Sequence, residues 1–228
     1  MNLSLKDILR ITRGKLLQGI GEGFVRSVSI NSKSIKRGGL FIAIKGSRLN
    51  GHQFVLEAVK AGAKIVIVSE FIKCPAGIVV IIVKDTTKAL GEIAALHRSF
   101  FNIPVIAITG STGKTSTKEL VAEVLKQKYR VLKNVGTENN QFGVPLTLLR
   151  LNEKHGIVVL ELGTSQKGDI LWLSFVAKPT VAVFTNIGDS HLRGLGSRRG
   201  VFAEKMKLLN YLDARGSVII NQDDPLLR

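Results

Sequence analysis

Short apolar runs rich in β-branched residues alternate along this chain with longer segments whose apolar residues return every three or four positions. The short runs have the composition of buried strands, and the longer segments have the periodicity of amphipathic helices. Strands buried on both faces and separated by helices form parallel sheets covered by helices, so the alternation predicts an α/β protein. The predicted strands are 40–44, 65–69, 78–83, 105–109, 157–162, 181–186 and 217–221, and the predicted helices are 54–61, 88–100, 116–128 and 201–212.

The order of these elements predicts two domains, 1–83 and 84–228. The boundary is placed near Lys84, where the strand 78–83 meets a helical segment that leads into the next strand. No long stretch of Gly, Pro and Ser marks a linker, so the division rests on the element pattern. A length of 228 residues is sufficient for two small domains.

Two features of the sequence predict a cytoplasmic protein. Its single cysteine, Cys74, cannot form an internal disulfide, and the first 17 residues lack the uninterrupted apolar run of a signal peptide. The longest apolar stretch, 77–83, is far too short to span a bilayer, so no membrane partner is expected.

The chain is strongly basic, with 33 Lys and Arg against 17 Asp and Glu and a formal net charge of +16. This excess raises affinity for anions in general, from nucleic acid to phosphorylated metabolites. The basic residues are spread along the whole chain, and the aromatic content of 6% provides no RNA-binding signature. The pattern favours a basic solvated surface over a dedicated nucleic-acid patch.

The segment AITGSTGKTSTKEL, 107–120, lies between a predicted strand and a predicted helix. Gly110 and Gly113 would let the backbone turn its N–H groups inward, and the following helix N-terminus favours phosphate. Lys114 would then reach the β- and γ-phosphates, and the Thr115 hydroxyl would bind Mg²⁺. The common pattern G-x-x-x-x-G-K-T has glycine where this chain has Ile108. A simple strand-to-helix turn therefore remains an alternative, although the placement between strand and helix favours a phosphate loop.

Two further polar residues are predicted at the same sheet edge. Glu161 ends the strand 157–162, at the edge where α/β proteins bind ligands, and a carboxylate there suits Mg²⁺. His191 follows the strand 181–186 and lies beyond the same edge. This position supports a functional role for His191 as strongly as a purely structural one. Asp189 and Asp223 or Asp224 are interpreted as turn and cap residues.

Five segments, in chain order, resemble the ATP-dependent Mur ligases of peptidoglycan synthesis. They are TGSTGKTSTKEL, NVGTENNQFGVPLTLLRL, VVLELGTSQKGDI, TNIGDSHLRGLGS and VFAEKMKLLNYL. In the first domain, residues 30–63 are similar to the UDP-binding segment of that family. The resemblance covers essentially the whole chain, and it implies a small UDP-binding α/β domain followed by a P-loop-type, parallel-sheet ATP-binding domain.

The resemblance implies a role for each matching residue of the second domain. Lys114, Lys205 and His191 would be catalytic, and Lys205 matches a lysine that is carbamylated to support a second Mg²⁺. The implied metal ligands are Thr115, Glu161, His191 and Lys205. The implied nucleotide-binding residues are Gly110, Ser111, Thr112, Gly113, Lys114, Thr115, Ser116, Asn139 and Asn140.

In the first domain, the resemblance places Ser32 and the triplet Asn50, Gly51 and His52 near the uridine nucleotide. Taken without the resemblance, His52 has the structural interpretation that a lone histidine usually receives.

The resemblance also implies an activity, with ATP and Mg²⁺ as cofactors. Segments 134–151 and 191–197 are most similar to the member that adds D-alanyl-D-alanine to UDP-N-acetylmuramoyl-tripeptide, so these substrates are the expected partners. ATP would convert a carboxylate to an acyl phosphate, which the incoming amine then attacks. A monomer is expected. The family's central domain continues beyond the match, so we expect that domain to be incomplete here, the C-terminal domain to be absent and the chain alone to ligate little.

Alternatives from other classes remain open. One is a non-catalytic nucleotide or UDP-sugar binding module, and another is a nucleic-acid-binding protein, supported by net charge alone. Within the enzymes, a ligase that adds the third peptide residue and a folylpolyglutamate-type synthetase are the alternatives. The stretch ENNQFGVPLTLL argues against both.

Overall fold

The structure is a computed structural model that describes residues 1–46 and 49–228. The chain divides into two compact units, Met1–His97 and Arg98–Arg228. The division falls near the end of the helix Thr86–Ser99, whereas the sequence analysis placed it ahead of that helix, at Lys84. Most of this helix therefore belongs to the first unit.

The first unit is built on a mixed five-stranded sheet. The unit as a whole has the strands β1 (Leu3–Ser4), β2 (Lys15–Gln18), β3 (Phe24–Val25), β4 (Val28–Ser29), β5 (Leu40–Ile42), β6 (Ile65–Val68) and β7 (Val79–Ile82). Its helices are α1 (Leu5–Thr12), α2 (Val55–Lys60) and α3 (Thr86–Ser99). The sheet order is β2–β7–β6–β5–β4.

The prediction of parallel pairing is confirmed for the three predicted strands, β5, β6 and β7, and β4 also pairs in parallel with β5. At the other edge of the sheet β2, which the sequence analysis did not predict, runs antiparallel to β7. Strands β1 and β3 form a separate antiparallel pair. The core of this unit joins Phe41, Val66 and Val80 of the sheet to Val55 and Ala58 of α2. The apolar periodicity of α2 places these residues on the face that packs against the strands.

The second unit is built on a fully parallel five-stranded sheet. Its strands are β8 (Val105–Thr109), β9 (Val131–Lys133), β10 (Ile157–Glu161), β11 (Val181–Phe184) and β12 (Ser217–Ile220), and its helices are α4 (Lys114–Leu125), α5 (Gly143–Leu148), α6 (Asp169–Ala177), α7 (Leu192–Leu195) and α8 (Arg198–Met206). The sheet order is β12–β11–β8–β10–β9.

This strand order determines where the second unit can bind a ligand. From the central strand β8 the chain passes to β9 at one edge, returns to β10, and then crosses to β11 on the other side of β8. The direction of winding thus reverses beside β8. In open α/β sheets, ligands bind at the carboxyl ends of the strands at such a reversal.

Helix α4 is held on the sheet by apolar packing. Val121 and Leu125 of the helix contact a core formed by Ile108, Val159 and Val183 of the three central strands. This packing fixes the helix N-terminus at the carboxyl end of β8.

The seven strands predicted from the sequence are confirmed in type, and most are one or two residues shorter than predicted. The predicted helix 201–212 is instead the end of α8 followed by a 3₁₀ turn, Lys207–Tyr211. In the part of the chain that the structure describes, no helix combines the length and the apolar character needed to cross a membrane.

Candidate functional site

The loop between β8 and α4 requires glycine at two positions for different reasons. Gly113 has a φ of +76°, in the left-handed region that disfavours residues with a Cβ. At Gly110 a Cβ would lie 1.8 Å from Thr185 Oγ1, so the obstacle there is a neighbouring side chain. The loop is therefore built tightly against the chain that follows β11.

The segment after β11 holds this loop by hydrogen bonds. Ser111 N donates to Asn186 O over 3.0 Å, and Thr112 N donates to Asn186 Oδ1 over 2.9 Å. Asn186 Nδ2 donates to Thr112 Oγ1, and Gly188 N donates to Ser111 Oγ, over 2.7 and 2.8 Å. Thr185 Oγ1 donates to Thr112 O over 2.6 Å. The segment Thr185–Gly188 thus braces the loop.

This brace corrects the expected direction of the loop N–H groups. The N–H groups of Ser111 and Thr112 bind the neighbouring segment, so they are not turned inward. Among the described residues, the backbone N–H groups of Gly113, Lys114, Thr115 and Ser116 have no hydrogen-bond partner. These are the donors that a helix leaves unsatisfied in its first turn, and they carry the positive end of the α4 dipole.

Two lysines converge on the carbonyl oxygen of Gly110. Lys114 Nζ donates to Gly110 O over 2.9 Å and to Ser111 O over 3.1 Å. Lys205 Nζ, from α8, donates to Gly110 O over 2.8 Å, although the side chain is only 1% exposed. The site therefore places two cations against one loop.

The pKa values of both lysines are lowered. Burial lowers the pKa of Lys114, and attraction to the Glu161 carboxylate opposes this shift. The pKa of Lys205 falls to about 8, mainly through burial and further through repulsion from Lys114, while Glu204 opposes both. Lys205 is consequently the cation in this site that loses its proton most readily near neutral pH.

Glu161 ends β10 with both carboxylate oxygens held. Oε2 accepts a hydrogen bond from Thr115 Oγ1, and Oε1 accepts one from Asn139 Nδ2, each over 2.7 Å. The backbone of Glu161 pairs in both directions with the side chain of Asn134 over 3.0 Å. A carboxylate only 2% exposed is therefore held directly beside the hydroxyl that follows Lys114.

A pocket of about 410 Å³ opens at this edge of the sheet. The structure brings six of the predicted site residues together in its lining, namely Lys114, Asn139, Asn140, Glu161, His191 and Lys205. The remainder of the lining is Gln141, Gly163, Thr164, Ser165, Asp169, Trp172 and Leu173. Asn140 Oδ1 accepts hydrogen bonds from the N–H groups of Phe142 and Gly143, so its side chain also caps the turn before α5.

His191 lies at the rim of the pocket, immediately before α7. Its φ of +54° is uncommon for a residue with a side chain, and the side chain is exposed. No group of three or more His, Cys, Asp and Glu within the described ranges is arranged to hold a metal ion. A cation at this edge would therefore need ligands besides the carboxylates and imidazole of the described residues, such as hydroxyl or phosphate oxygens.

Among the predicted residues of the first unit, Asn50 and His52 are hydrogen-bonded to each other, and Ser32 lies apart from them in the sequence and in a different turn. His52 is buried, and its Nε2 accepts a hydrogen bond from Ser69 N over 2.8 Å, while Nδ1 contacts Asn50 Oδ1 over 2.7 Å. At Gly51 a Cβ would lie 2.6 Å from Ile44 O. Ser32 is buried in a different 3₁₀ turn, Ser32–Ser34. Burial lowers the pKa of His52, so the ring is kept neutral.

The sequence analysis missed several residues that organise the site. Asn134 and Asn186 each follow a strand at the ligand-binding edge, a position that could have identified them. Glu204, 2% exposed, accepts hydrogen bonds from Gly168 N and Ile170 N, and Lys118 is fully buried. Nothing in the pattern of a charged helix residue predicts such burial, because it depends on how the helix packs.

Two family models match the chain. The model described as "Mur ligase middle domain" matches residues 108–228, which is more than half of the chain. The model described as "Mur ligase family, catalytic domain" matches residues 24–98.

Individual proteins agree with these matches. The Bacillus subtilis (strain 168) protein named UDP-N-acetylmuramoyl-tripeptide–D-alanyl-D-alanine ligase is 40% identical over 99% of this chain and 50% of its own length. A crystal structure of MurF from Acinetobacter baumannii has a TM-score of 0.92 at 33% identity and covers 100% of this chain and 50% of that one. MurF from Thermotoga maritima, solved in complex with ADP, has a TM-score of 0.82 at 34% identity and covers 88% and 47%. The chain spans about half the length of the curated relatives it matches.

Proposed function

The chain belongs to the Mur ligase family, and we propose that it supplies the nucleotide-binding and UDP-substrate-binding parts of an ATP-dependent ligase that joins D-alanyl-D-alanine to UDP-N-acetylmuramoyl-tripeptide. One observation carries the proposal: Lys114 and Glu161 line one pocket, Thr115 is hydrogen-bonded to Glu161, and the helix turn that carries Lys114 and Thr115 has the free N–H groups of 113–116. The names of the relatives, at 36–40% identity, support the choice of substrates.

The first turn of α4 and Lys114 would bind the phosphates of ATP. Four free N–H groups at a helix N-terminus form an anion site, and the neighbouring ammonium adds a mobile positive charge. Lys114 now donates to the carbonyls of Gly110 and Ser111, and these donors can turn to phosphate oxygens at little energetic loss. Ser111 and Thr112 would act indirectly, by holding the loop in place.

The residues present fit Mg²⁺ held jointly with phosphate. Mg²⁺ prefers oxygen ligands and is usually bound by one or two carboxylates together with waters and substrate phosphates. The Thr115 hydroxyl and the Glu161 carboxylate, 2.7 Å apart, provide such a pair of oxygens. When bound, Mg²⁺ neutralises charge on the transferring phosphoryl group. His191 and Lys205 are proposed as the further ligands implied by the resemblance.

Lys205 is suited to carbamylation. The reaction needs the neutral amine, which attacks the carbon of CO₂, forms an N–C bond and releases a proton. With a pKa lowered to about 8 by burial and by Lys114, Lys205 supplies the neutral amine near neutral pH far more readily than a free lysine does. The product is an anion, so carbamylation would also replace the repulsion from Lys114 by attraction.

A test of this modification uses ¹³C-bicarbonate and carbon NMR on the 228-residue chain. We expect one carbamate signal that grows as the pH rises through 8 and is missing in Lys205→Arg. A signal of equal intensity in the variant would assign the modification to another amine.

In the proposed reaction, the protein mainly positions reactants and stabilises charge. The substrate carboxylate attacks the γ-phosphorus of ATP, ADP leaves, and the acyl phosphate is attacked by the dipeptide amine. The C–N bond forms as phosphate departs with the C–O electron pair, and the amine loses a proton. Lys114 and the α4 N–H groups would donate to the oxygens on which negative charge accumulates.

Ser32, Asn50, Gly51 and His52 are proposed to shape the UDP-binding surface of the first unit. Because both ring nitrogens of His52 are engaged inside the protein, its contribution would be to hold the turn that carries Asn50. ATP and UDP-linked precursors are cytoplasmic metabolites, so we place the reaction in the cytoplasm. We also propose that the protein acts as a monomer.

The proposal is tested by calorimetric titration of the 228-residue chain with Mg-ATP and, separately, with UDP-N-acetylmuramoyl-tripeptide. We expect both to bind, and Lys114→Ala to weaken Mg-ATP at least ~100-fold because a charge-assisted contact is lost. Lys126→Ala is the control, since Lys126 follows α4 and forms an exposed ion pair with Glu123. Failure of both ligands to bind, together with salt-dependent binding of duplex DNA, would favour the nucleic-acid alternative.

A further inference from the structure

Lys118 is a fully buried cation that the proposed reaction does not use. It lies on α4, one turn after Lys114, and its side chain has 0% exposure. Its Nζ donates to Asn134 O over 3.0 Å and to Gly136 O over 3.3 Å, and it lies 3.1 Å from Glu119 Oε1. Burying an ammonium is costly unless its donors are satisfied, and here two of its partners are backbone carbonyls of one loop.

The loop bound by Lys118 is the one that holds Glu161. Asn134 uses its side chain to bind the backbone of Glu161 in both directions and also donates to Glu138 O over 2.9 Å. Further along, Asn139 Nδ2 donates to Glu161 Oε1, and Gly163 N donates to Asn139 O. The segment 134–139 thus holds Glu161 at its backbone and at its carboxylate.

Helix α4 is therefore joined to Glu161 along two routes. At its first turn, Thr115 Oγ1 binds Glu161 Oε2 directly. One turn later, Lys118 binds the segment 134–139, which binds Glu161 from the other side. Helix α4 therefore carries both the proposed phosphate-binding donors and Lys118, which holds the segment that binds the other oxygen of the Glu161 carboxylate.

We propose that Lys118 is a positioning residue that holds segment 134–139 on α4 and so fixes the Glu161 carboxylate in the orientation required for a magnesium nucleotide. The part of this inference that concerns the nucleotide rests on the proposed function. The part that concerns the loop rests on the hydrogen bonds alone.

Lys133 provides a matched control. Its Nζ pairs with Glu119 Oε2, so it shares the carboxylate that Lys118 contacts, but it donates to no carbonyl of segment 134–139. Lys133→Met would remove a cation next to Glu119 and leave the loop contacts in place. Lys118→Met approximately keeps the side-chain volume and removes the hydrogen-bond donors. Lys118→Gln keeps a donating NH₂ group on a shorter side chain.

The first measurement is amide hydrogen exchange of the 228-residue chain without nucleotide. The amides of Glu138 and Asn139, which donate to Val135 O and Thr137 O, report on the loop. We expect their exchange to accelerate at least ~10-fold in Lys118→Met, less in Lys118→Gln and not in Lys133→Met. Unchanged exchange of these amides in Lys118→Met would overturn the inference, whatever the protein binds.

The second measurement compares the affinity for ATP with and without Mg²⁺. Since residues that orient a metal ligand typically change metal affinity 10- to 100-fold, Lys118→Met should weaken Mg-ATP by at least ~10-fold. Its affinity for ATP in EDTA should stay within about twofold, which a general loss of structure would not allow.

The outcomes separate the two proposals. If the wild-type chain does not bind Mg-ATP, the proposed function fails, and the exchange experiment still decides whether Lys118 holds the loop. If the wild type binds and Lys118→Met keeps the full Mg²⁺ dependence, the function stands and the positioning role is wrong. Should Lys118→Met fail to fold, Lys118→Gln provides both readouts.

Discussion

The two units carry polar clusters near the ends of their strands, and these clusters differ in how their hydrogen bonds are used. In the first unit, both ring nitrogens of His52 are engaged by Asn50 and Ser69, and Asn50 also donates to Glu70. In the second unit, Lys114 and Lys205 repel each other. The first-turn N–H groups of α4 there have no partner among the described residues.

We interpret the first cluster as one that holds the backbone of its unit, and the second as the candidate phosphate site. A group of polar residues that satisfy one another holds the backbone and offers little to a ligand. A group that keeps like charges together and leaves donors free is stabilised when an anion arrives. Position at a strand end therefore identifies both clusters as candidates, and the like charges and free donors of the second one favour it as the phosphate site that we propose.

The largest expected effect comes from Gly110→Ala, which breaks the packing of the loop between β8 and α4. Its Cβ would overlap Thr185 Oγ1, so we expect unit 2 to lose about 3 kcal/mol of unfolding free energy. Trp172, the single tryptophan, allows unfolding of this unit to be followed by fluorescence in denaturant.

Two variants sharpen this prediction. Adding Thr185→Ala should restore part of the stability, because the nearest remaining contact would be the Thr185 Cβ at 3.1 Å. Gly113→Ala, where a Cβ meets open space and only the positive φ is unfavourable, should lose about 1 kcal/mol. Equal losses at the two glycines would show that the close approach of Thr185 is unimportant.

A smaller effect is expected from His52→Ala in the first unit. Removing the ring leaves the partly buried Ser69 N–H without its acceptor, which costs about 2 kcal/mol. Exchange of the Ser69 amide measures the loss locally, while Trp172 fluorescence should show the second unit unchanged. A wild-type Ser69 amide that exchanges as fast as in the variant would contradict the structural role of His52.

The pH dependence of the first unit follows from the same residue. Burial lowers the pKa of His52 in the folded state, so the unfolded chain binds the proton more strongly. The contribution to stability is present above the unfolded value of about 6.5 and is lost as the pH falls below it towards the folded pKa. The resulting fall in unfolding free energy between about pH 7.5 and 5.5, measured by amide exchange, should be missing in His52→Ala.

The smallest effects are expected at Asn186, which braces the loop and is not among the residues that line the pocket. Asn186→Ala removes two hydrogen bonds to Thr112 and should reduce the stability of unit 2 by about 1 kcal/mol. Asn186→Asp keeps the acceptor for Thr112 N and adds a negative charge, so it should weaken Mg-ATP a few-fold with little loss of stability. If Asn186→Ala instead weakened Mg-ATP binding more than Asn186→Asp, Asn186 would contact the nucleotide itself.

Much of the fold was predictable because seven strands are apolar runs and four helical segments show clear periodicity. Most of the elements that were missed lack these signals; α1 is the exception, since Leu5, Ile8 and Thr12 are buried at helical spacing. Helix α6, DILWLSFVA, is apolar on nearly every face, and β9 has only Leu132 buried among its three residues. The strands β1, β3 and β4 contain two residues each, so their pairing depends on tertiary contacts and not on a sequence pattern.

The site was predictable to a similar degree. Lys114, Glu161 and His191 follow strands or a glycine loop, so sheet topology alone brings them to one edge. The inclusion of Lys205 came from the family resemblance, and Lys118 was missed altogether. Both lie on helices, where burial depends on what packs against the side chain, and a single sequence does not contain that information.

The most direct test of the account is a crystal structure of this chain with Mg²⁺ and a non-hydrolysable ATP analogue. We predict phosphate oxygens about 3 Å from the N–H groups of 113–116 and from Lys114 Nζ, with Mg²⁺ between Thr115 Oγ1 and the Glu161 carboxylate. Phosphates bound at any other place, with Lys114 still donating to Gly110 O and Ser111 O, would contradict the claim that this sheet edge is a nucleotide site.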